Sequence, residues 1–331
     1  MTTLLLTRND VRGLTDMPAV IAAVEEAYRS FGDGKVDQPP YMGIHLSTPG
    51  AEIDFKAGYS RANELVSLKA SSGGFRDNPD RHGVPNGMGT VMLFDGRSGA
   101  LVCIMDGSLL TGLRTGAAGA ISVRAMARPD ARSLAVIGTG SQARMQVRAI
   151  REVMQIETIR AWGRSSANAA AFAVEIEGQF DIPVTLAGTA AEAAADADVV
   201  VTTTRASEVV LRPGSLKPGT HVVAIGTDQR GKRELDPELF RDAYVVVDSE
   251  AQCAEKGEVQ HAIAAGIIEQ AHAEIGQVLL GRRPGRTSAE QITIFDSTGM
   301  AIQDNVTAAA ILALARERGV GMPFDFLTQT S

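Results

Sequence analysis

The chain has 331 residues, 44% hydrophobic and 21% charged, with a formal net charge of −7 at pH 7. This length suffices for two domains, each burying its own core, and an acidic balance without a basic block argues against nucleic acid as the main partner. Cys103 and Cys253 are unclustered and read as buried small hydrophobes in a reducing compartment. The apolar triplet at 4–6 is cut short by Arg8, Asn9 and Asp10, and no run of about 18 apolar residues occurs elsewhere. The expectation is a cytoplasmic protein without a membrane segment.

Residues 15–32 have the spacing of an amphipathic helix, with Val20, Ile21, Val24, Ala27, Tyr28 and Phe31 on one stripe and Thr15 or Asp16 as cap. Five short runs with strand character follow, at 44–46, 53–55, 65–68, 90–94 and 101–105. Turn clusters such as Asp77-Asn78-Pro79-Asp80 and Gly96-Arg97-Ser98-Gly99 separate them. Strands in series predict an antiparallel or mixed sheet. From about residue 112 the rhythm becomes strand–helix alternation, with strands at 134–137, 158–162, 184–186, 199–203, 221–225, 244–247 and 292–295. Alanine-rich helical stretches lie between most of them, at 167–176, 190–195 and 250–265. This predicts an α/β doubly wound parallel sheet. A last helix over 302–318 has the option of returning to the first domain.

The strand at 134–137 ends in Gly138-x-Gly140-x-x-Ala143, with a helix-compatible segment behind it. In that context Gly138 makes a tight turn, Gly140 leaves room for a pyrophosphate on the helix amides, and Ala143 lets helix pack on strand. An acidic residue at the end of the next strand would accept from the 2′-hydroxyl of NAD. Here that strand ends in Gly163-Arg164-Ser165-Ser166, and a guanidinium beside hydroxyls suits the 2′-phosphate of NADP. NADP is therefore favoured, NAD being retained if Arg164 is only a solvent-facing residue at a helix start capped by Ser165 or Ser166. The five histidines show no ligand spacing, and no metal is expected.

The segment 109–118 (Leu-Leu-Thr-Gly-Leu-Arg-Thr-Gly-Ala-Ala), followed by the glycine loop 138–143, resembles the ornithine cyclodeaminase/mu-crystallin family. Further matches are Ala-Ile-Gly-Thr-Asp at 224–228, Gly-Lys-Arg-Glu-Leu-Asp at 231–236, Val-Asp-Ser at 247–249 with Gln252, and Phe-Asp-Ser-Thr-Gly-Met-Ala-Ile-Gln-Asp at 295–304. The resemblance implies a homodimer with a central Rossmann domain, assigned to 116–304. It also implies a discontinuous α+β substrate-binding and dimerisation domain, assigned to 1–115 and 305–331. It implies hydride exchange between a nicotinamide and the α-carbon of an amino acid. Arg114 matches the family residue that holds the α-carboxylate, Lys69 the lysine that contacts substrate, and Asp228 the acid/base carboxylate. Lys69 would otherwise be a snorkelling strand lysine and Asp228 a turn cap. Ser141, Gln142, Thr90, Thr115, Thr202, Thr203, Gly226, Lys232, Ser297 and Gly299 join Gly138, Gly140, Arg164 and Ser165 as cofactor-binding candidates.

The departures bear on the substrate. Family cyclodeaminases carry an arginine after a proline near position 40, where this chain has Tyr41, and a glutamate before a Met-Pro pair. Here the glutamate is at best Asp54, and Lys56 stands where Met is usual. A lysine is the wrong partner for the δ-ammonium of ornithine and suits a second carboxylate, unless it lies on a surface edge strand. The expected activity is therefore NAD(P)H-dependent reduction of a small α-imino acid, with iminosuccinate to aspartate as the sharpest form, or the reverse dehydrogenation. Lys69, Arg114, Lys56 and Tyr41 are the substrate-binding candidates, with Lys69 or Asp228 moving the proton. The alternatives are ornithine cyclodeamination with internally recycled NAD and a non-catalytic NADPH-binding protein of the crystallin type.

Overall fold

A computed structural model describes residues 2–326. In chain order it contains β1 (Thr3–Leu6), α1 (Arg8–Leu14), α2 (Met17–Gly32), β2 (Val36–Asp37), β3 (Met42–His45), β4 (Glu52–Ser60), β5 (Leu65–Gly73), α3 (Asn78–His82), β6 (Met88–Asp95), β7 (Leu101–Asp106) and α4 (Gly107–Met126). Strand–helix alternation then runs through β8 (Ser133–Ile137), α5 (Ser141–Ile150), β9 (Thr158–Trp162), α6 (Ser166–Phe180), β10 (Val184–Leu186), α7 (Ala190–Ala194), β11 (Val199–Thr202), β12 (His221–Ala224) and β13 (Tyr244–Val247). The chain closes with α8 (Glu250–Lys256), α9 (Val259–Ala264), β14 (Ala273–Glu274), α10 (Ile275–Leu279), β15 (Thr293–Asp296), α11 (Ala301–Arg318) and β16 (Met322–Phe324). Two compact units result: unit 1 is Met1–Arg114 with Met300–Ser331, and unit 2 is Thr115–Gly299.

Unit 1 is a mixed sheet in the order β16-β1-β7-β6-β5-β4-β2, with β3 also on β4. Every pair is antiparallel except β1 on β7. The hydrophobic stripe of α2 is buried as its spacing requires, from Val20 and Ile21 to Ala27 and Tyr28. Asp16 is the cap, its carboxylate accepting from the Ala19 amide, and Pro18 fits the first turn, where no amide is lost. α11 returns to this unit and packs on α2, β4 and β5. It starts at Ala301 as one continuous helix, so residues 300–304, which the sequence grouped with the nucleotide domain, belong to unit 1.

Unit 2 is an all-parallel sheet in the order β10-β9-β8-β11-β12-β15-β13-β14. The order reverses direction between β8 and β11, the switch point at which doubly wound folds place ligands. Its central strands are buried on both faces and therefore read as unbroken apolar runs. One element departs from expectation. The helix anticipated over 250–265 breaks into α8 and α9 at Gly257, where an added Cβ would come within 2.4 Å of the Asp296 carboxylate. Tertiary packing overrides local helix propensity there.

Candidate active site

In unit 1, β5 carries Lys69 with its side chain 3% exposed. The lysine does not snorkel: its Nζ lies 2.8 Å from the Asp304 carboxylate, and it donates to the Thr111 hydroxyl at 3.3 Å. Thr111 in turn donates to the Gly107 carbonyl at 2.7 Å. The other Asp304 oxygen accepts from Arg114 Nε at 3.0 Å. Gln303 accepts from the Met300 amide at 2.6 Å and donates to the Tyr28 hydroxyl at 2.8 Å, with its Oε1 3.5 Å from Arg114 Nη1. The first turn of α11 thus grips the inner edge of the guanidinium through Nε and fixes its plane. Lys56 sits on β4 directly opposite Lys69 in the strand register and is buried, not on a surface edge. Tyr41 precedes β3, and its ring lies along Gly43.

Burial pulls the Lys69 ammonium down to about 8, and the neighbouring Arg114 and Lys56 charges act in the same direction against Asp304. Burial alone would raise Asp304, but the Lys69 and Arg114 charges reverse this, and it lies below the usual carboxylate range. Asp304, which joins the two candidates Lys69 and Arg114, is the member of this cluster that sequence reasoning did not single out. One signal was available: it is the only charged side chain between positions 301 and 315, in an otherwise alanine- and leucine-rich helix.

In unit 2, Gly138 turns with φ +98°, and its amide donates to the Trp162 carbonyl at 2.8 Å. Thr203 closes the turn from the other side, its hydroxyl donating to the Gly138 carbonyl at 3.2 Å, while Thr202 is buried at the end of β11. Gly140 is the N-cap of α5 without a capping side chain, and a Cβ there would meet open space. The Ser141 and Gln142 amides therefore open a ten-residue helix whose N-cap, Gly140, has no side chain to satisfy them. The buried Gln142 Oε1 lacks a hydrogen-bond partner. An uncapped helix start, open space and an orphaned polar atom together fit the pyrophosphate of a dinucleotide. At the end of β9, a Cβ on Gly163 would press on Thr139 Oγ1 at 2.6 Å, so a glycine lets the turn approach the loop. Arg164 is exposed beside it, and Ser165 caps α6, accepting from the Asn168 amide at 3.3 Å.

Other candidates are held by protein partners. Ser297 donates to Asp248 at 2.7 Å, and the Gly299 amide bonds the same oxygen at 2.7 Å. Lys232 lies 2.6 Å from Asp228, whose side chain is half-exposed. The Thr115 carbonyl accepts from Gln146 at 2.8 Å. The Gly226 amide donates to Glu234 at 3.0 Å, and the Thr227 hydroxyl donates to Glu258, which also accepts the Glu234 and Leu235 amides at 2.7 and 3.1 Å. Burial first, and then the neighbouring Glu234, pushes Glu258 up to about 8, and burial pushes Glu234 up to about 7. Thr90 lies on β6 in unit 1, paired with Ala70 of β5 and Asp106 of β7. Among the described residues no group of three or more His, Cys, Asp and Glu is arranged to hold a metal ion. Both cysteines are free and buried, and no described helix is long and apolar enough to cross a membrane.

A doubly wound parallel sheet with an open, uncapped helix at its glycine turn defines a Rossmann-type α/β protein. The chain belongs to the ornithine cyclodeaminase/mu-crystallin family, whose profile matches residues 1–319. It is 36% identical to alanine dehydrogenase of Archaeoglobus fulgidus over 98% of this chain and 99% of that one. It is also 36% identical to iminosuccinate reductase of Paracoccus denitrificans, over 97% and 99%. The solved structure of the latter with NAD+ superposes with a TM-score of 0.91 at 34% identity, covering 98% of this chain and all of that one. The Thermococcus litoralis Δ1-pyrroline-2-carboxylate reductase with NADH and L-proline superposes at 0.93 and 32%, covering 97% and 99%.

Proposed function

We propose that the chain is an oxidoreductase that reduces a small α-imino acid to the amino acid with NAD(P)H, or runs the reverse dehydrogenation. The observation that carries this reading is the buried Lys69–Asp304–Arg114 cluster, in a chain whose other unit has an open dinucleotide loop. Arg114 keeps the outer edge of its guanidinium for the substrate α-carboxylate, a two-point contact that fixes the α-carbon. Lys69 has two of its three protons directed at Asp304 and Thr111 and one left for the substrate. A nicotinamide bound through the 138–143 loop supplies the hydride. The C=N bond becomes C–H and N–H: the carbon receives hydride and the nitrogen receives a proton. Lys69 suits the proton transfer because its ammonium is buried and pulled to about 8, within reach of neutral pH. Asp228 is half-exposed and bonded to Lys232, and on this reading it steadies the loop after β12.

Arg164, with the Ser165 and Ser166 hydroxyls, favours NADP as partner, and the NAD-bound relatives keep NAD open. Cyclodeamination fits less well, since Lys56 puts a buried cation where a diamino substrate would bring another. The solved archaeal alanine dehydrogenase is a dimer, and we read this chain as a homodimer working in the cytoplasm. A reductive-amination screen of 2-oxo acids with ammonia, followed at 340 nm with NADH and NADPH, tests the activity. Oxidation of either cofactor with amino-acid formation is expected; none across the panel sinks the proposal.

A further inference from the structure

We infer that Arg144 is the positioning residue of the dinucleotide loop: its guanidinium holds the Thr139 and Gly140 carbonyls, so that the Gly140 and Ser141 amides face the pyrophosphate. The inference rests on reading 138–143 as the dinucleotide loop, and not on which imino acid is reduced. Arg144 lies one turn into α5, and its Nη1 donates to both carbonyls, at 2.8 Å to Thr139 and 3.0 Å to Gly140. The two hydrogens of that nitrogen serve one oxygen each. The rest of the guanidinium is engaged by α6. Nε donates to Glu175 at 2.6 Å, and Cζ sits 5.4 Å from the centre of the buried Phe172 ring. Glu175 answers the charge, and the fork is aimed at backbone.

A trans peptide unit points its carbonyl and its amide in opposite directions. The Thr139 carbonyl shares its unit with the Gly140 amide, and the Gly140 carbonyl shares its unit with the Ser141 amide. Drawing both oxygens onto Arg144 therefore turns both N–H groups the other way. Nothing within 4 Å of a Cβ built on Gly140 stands in a ligand's path. The helix that starts at Ser141 already orients the second unit, but the first lies outside it. Turning the first unit over needs a positive φ at residue 140, which glycine adopts without penalty. It would then aim an oxygen, not an N–H, at the phosphates. The glycine that makes room for pyrophosphate thus also admits the wrong peptide orientation. The charge-assisted bond to the Thr139 carbonyl selects the right one.

The test is calorimetry of NADH, NADPH and ADP, which shares their pyrophosphate, with the purified full chain. Arg144→Met keeps an alkyl chain against Phe172 and removes the donors. It is expected to weaken all three ligands by about 10- to 100-fold, as loss of charge-assisted bonds does. Glu175→Gln breaks the ion pair between α5 and α6 and leaves Nη1 on the carbonyls, so its affinities stay within about threefold of the wild type. Adenosine, followed by ligand-observed NMR, binds both variants as it binds the wild type, because it lacks the pyrophosphate. Unchanged NADH affinity in a folded Arg144→Met variant overturns the inference. So do equal losses in Arg144→Met and Glu175→Gln, or a matching loss of adenosine, since each assigns Arg144 to helix packing. Arg144→Gln, too short to span both carbonyls, gives the same comparison if the methionine variant does not fold. Binding is read without turnover, so a failure of the reductase reading leaves this comparison intact.

Discussion

Lys69, Arg114 and Asp304 share one carboxylate between two cations in a volume almost closed to water. Removing one member of such a buried set costs more than the net worth of the contact, because a charge is left without compensation. Asp304→Asn keeps the shape and removes the charge that holds Lys69 up. As a proton donor, Lys69 must be protonated in the free enzyme, so kcat/KM for imine reduction falls as pH rises through about 8, and the reverse reaction gains over the same range. In Asp304→Asn that alkaline limb moves to lower pH and kcat/KM drops at least about tenfold; pH–rate profiles of the two proteins check it. A limb that stays in place removes Lys69 from the proton transfer. None of this coupling was legible in the sequence. The family motifs point to Lys69 and to Arg114, but Asp304 lies 190 residues after Arg114, and no local pattern joins them.

At the scale of elements the glycine turn was readable, because its reason is local. A short apolar strand, two glycines at fixed offsets and a helix start specify a backbone shape that no distant partner needs to impose. The same holds for α2, whose stripe and cap lie within one segment. β1 and β16 were not readable: three- and four-residue strands at opposite ends of the chain pair with each other, and β1 adds to β7 in parallel. The break between α8 and α9 is a third case, imposed by Asp296 from β15. On the NADP reading, the turn between β9 and α6 is the element that sets cofactor choice. Replacing Arg164 by Asp installs the carboxylate that suits a ribose 2′-hydroxyl and repels a 2′-phosphate. The NADPH-to-NADH ratio of kcat/KM should then fall by about 10- to 100-fold, measured with each cofactor at a fixed imine concentration. An unchanged ratio would assign Arg164 to solvent.

Across the whole molecule, the alternation of strands and helices after residue 112 was enough to read one parallel sheet, and the strands in series before it a mixed one. The return of the last helix was open to the sequence; what the linear order hid was that this helix begins at Ala301, so that its first turn brings Asp304 to Lys69. The two units also hold their buried charges in opposite ways. Unit 1 keeps an ammonium below its ordinary value, so its folded state binds fewer protons than the unfolded chain between about pH 8 and 10.5 and gains stability as pH rises there. Unit 2 keeps Glu234 and Glu258 above theirs, so its folded state binds more protons between about pH 4.5 and 8 and loses stability over that range. Hydrogen exchange from pH 6 to 9 should show amides 226–235 losing protection with rising pH while β4 and β5 hold or gain it; parallel loss in both would contradict this. The turn braced by Glu234 and Glu258 carries Asp228 and Lys232. Alkalinity therefore acts on this protein as two separate clocks, one timing the discharge of the Lys69 proton and one the loosening of the loop after β12. An alkaline loss of activity would be resolved by asking which of them runs out first.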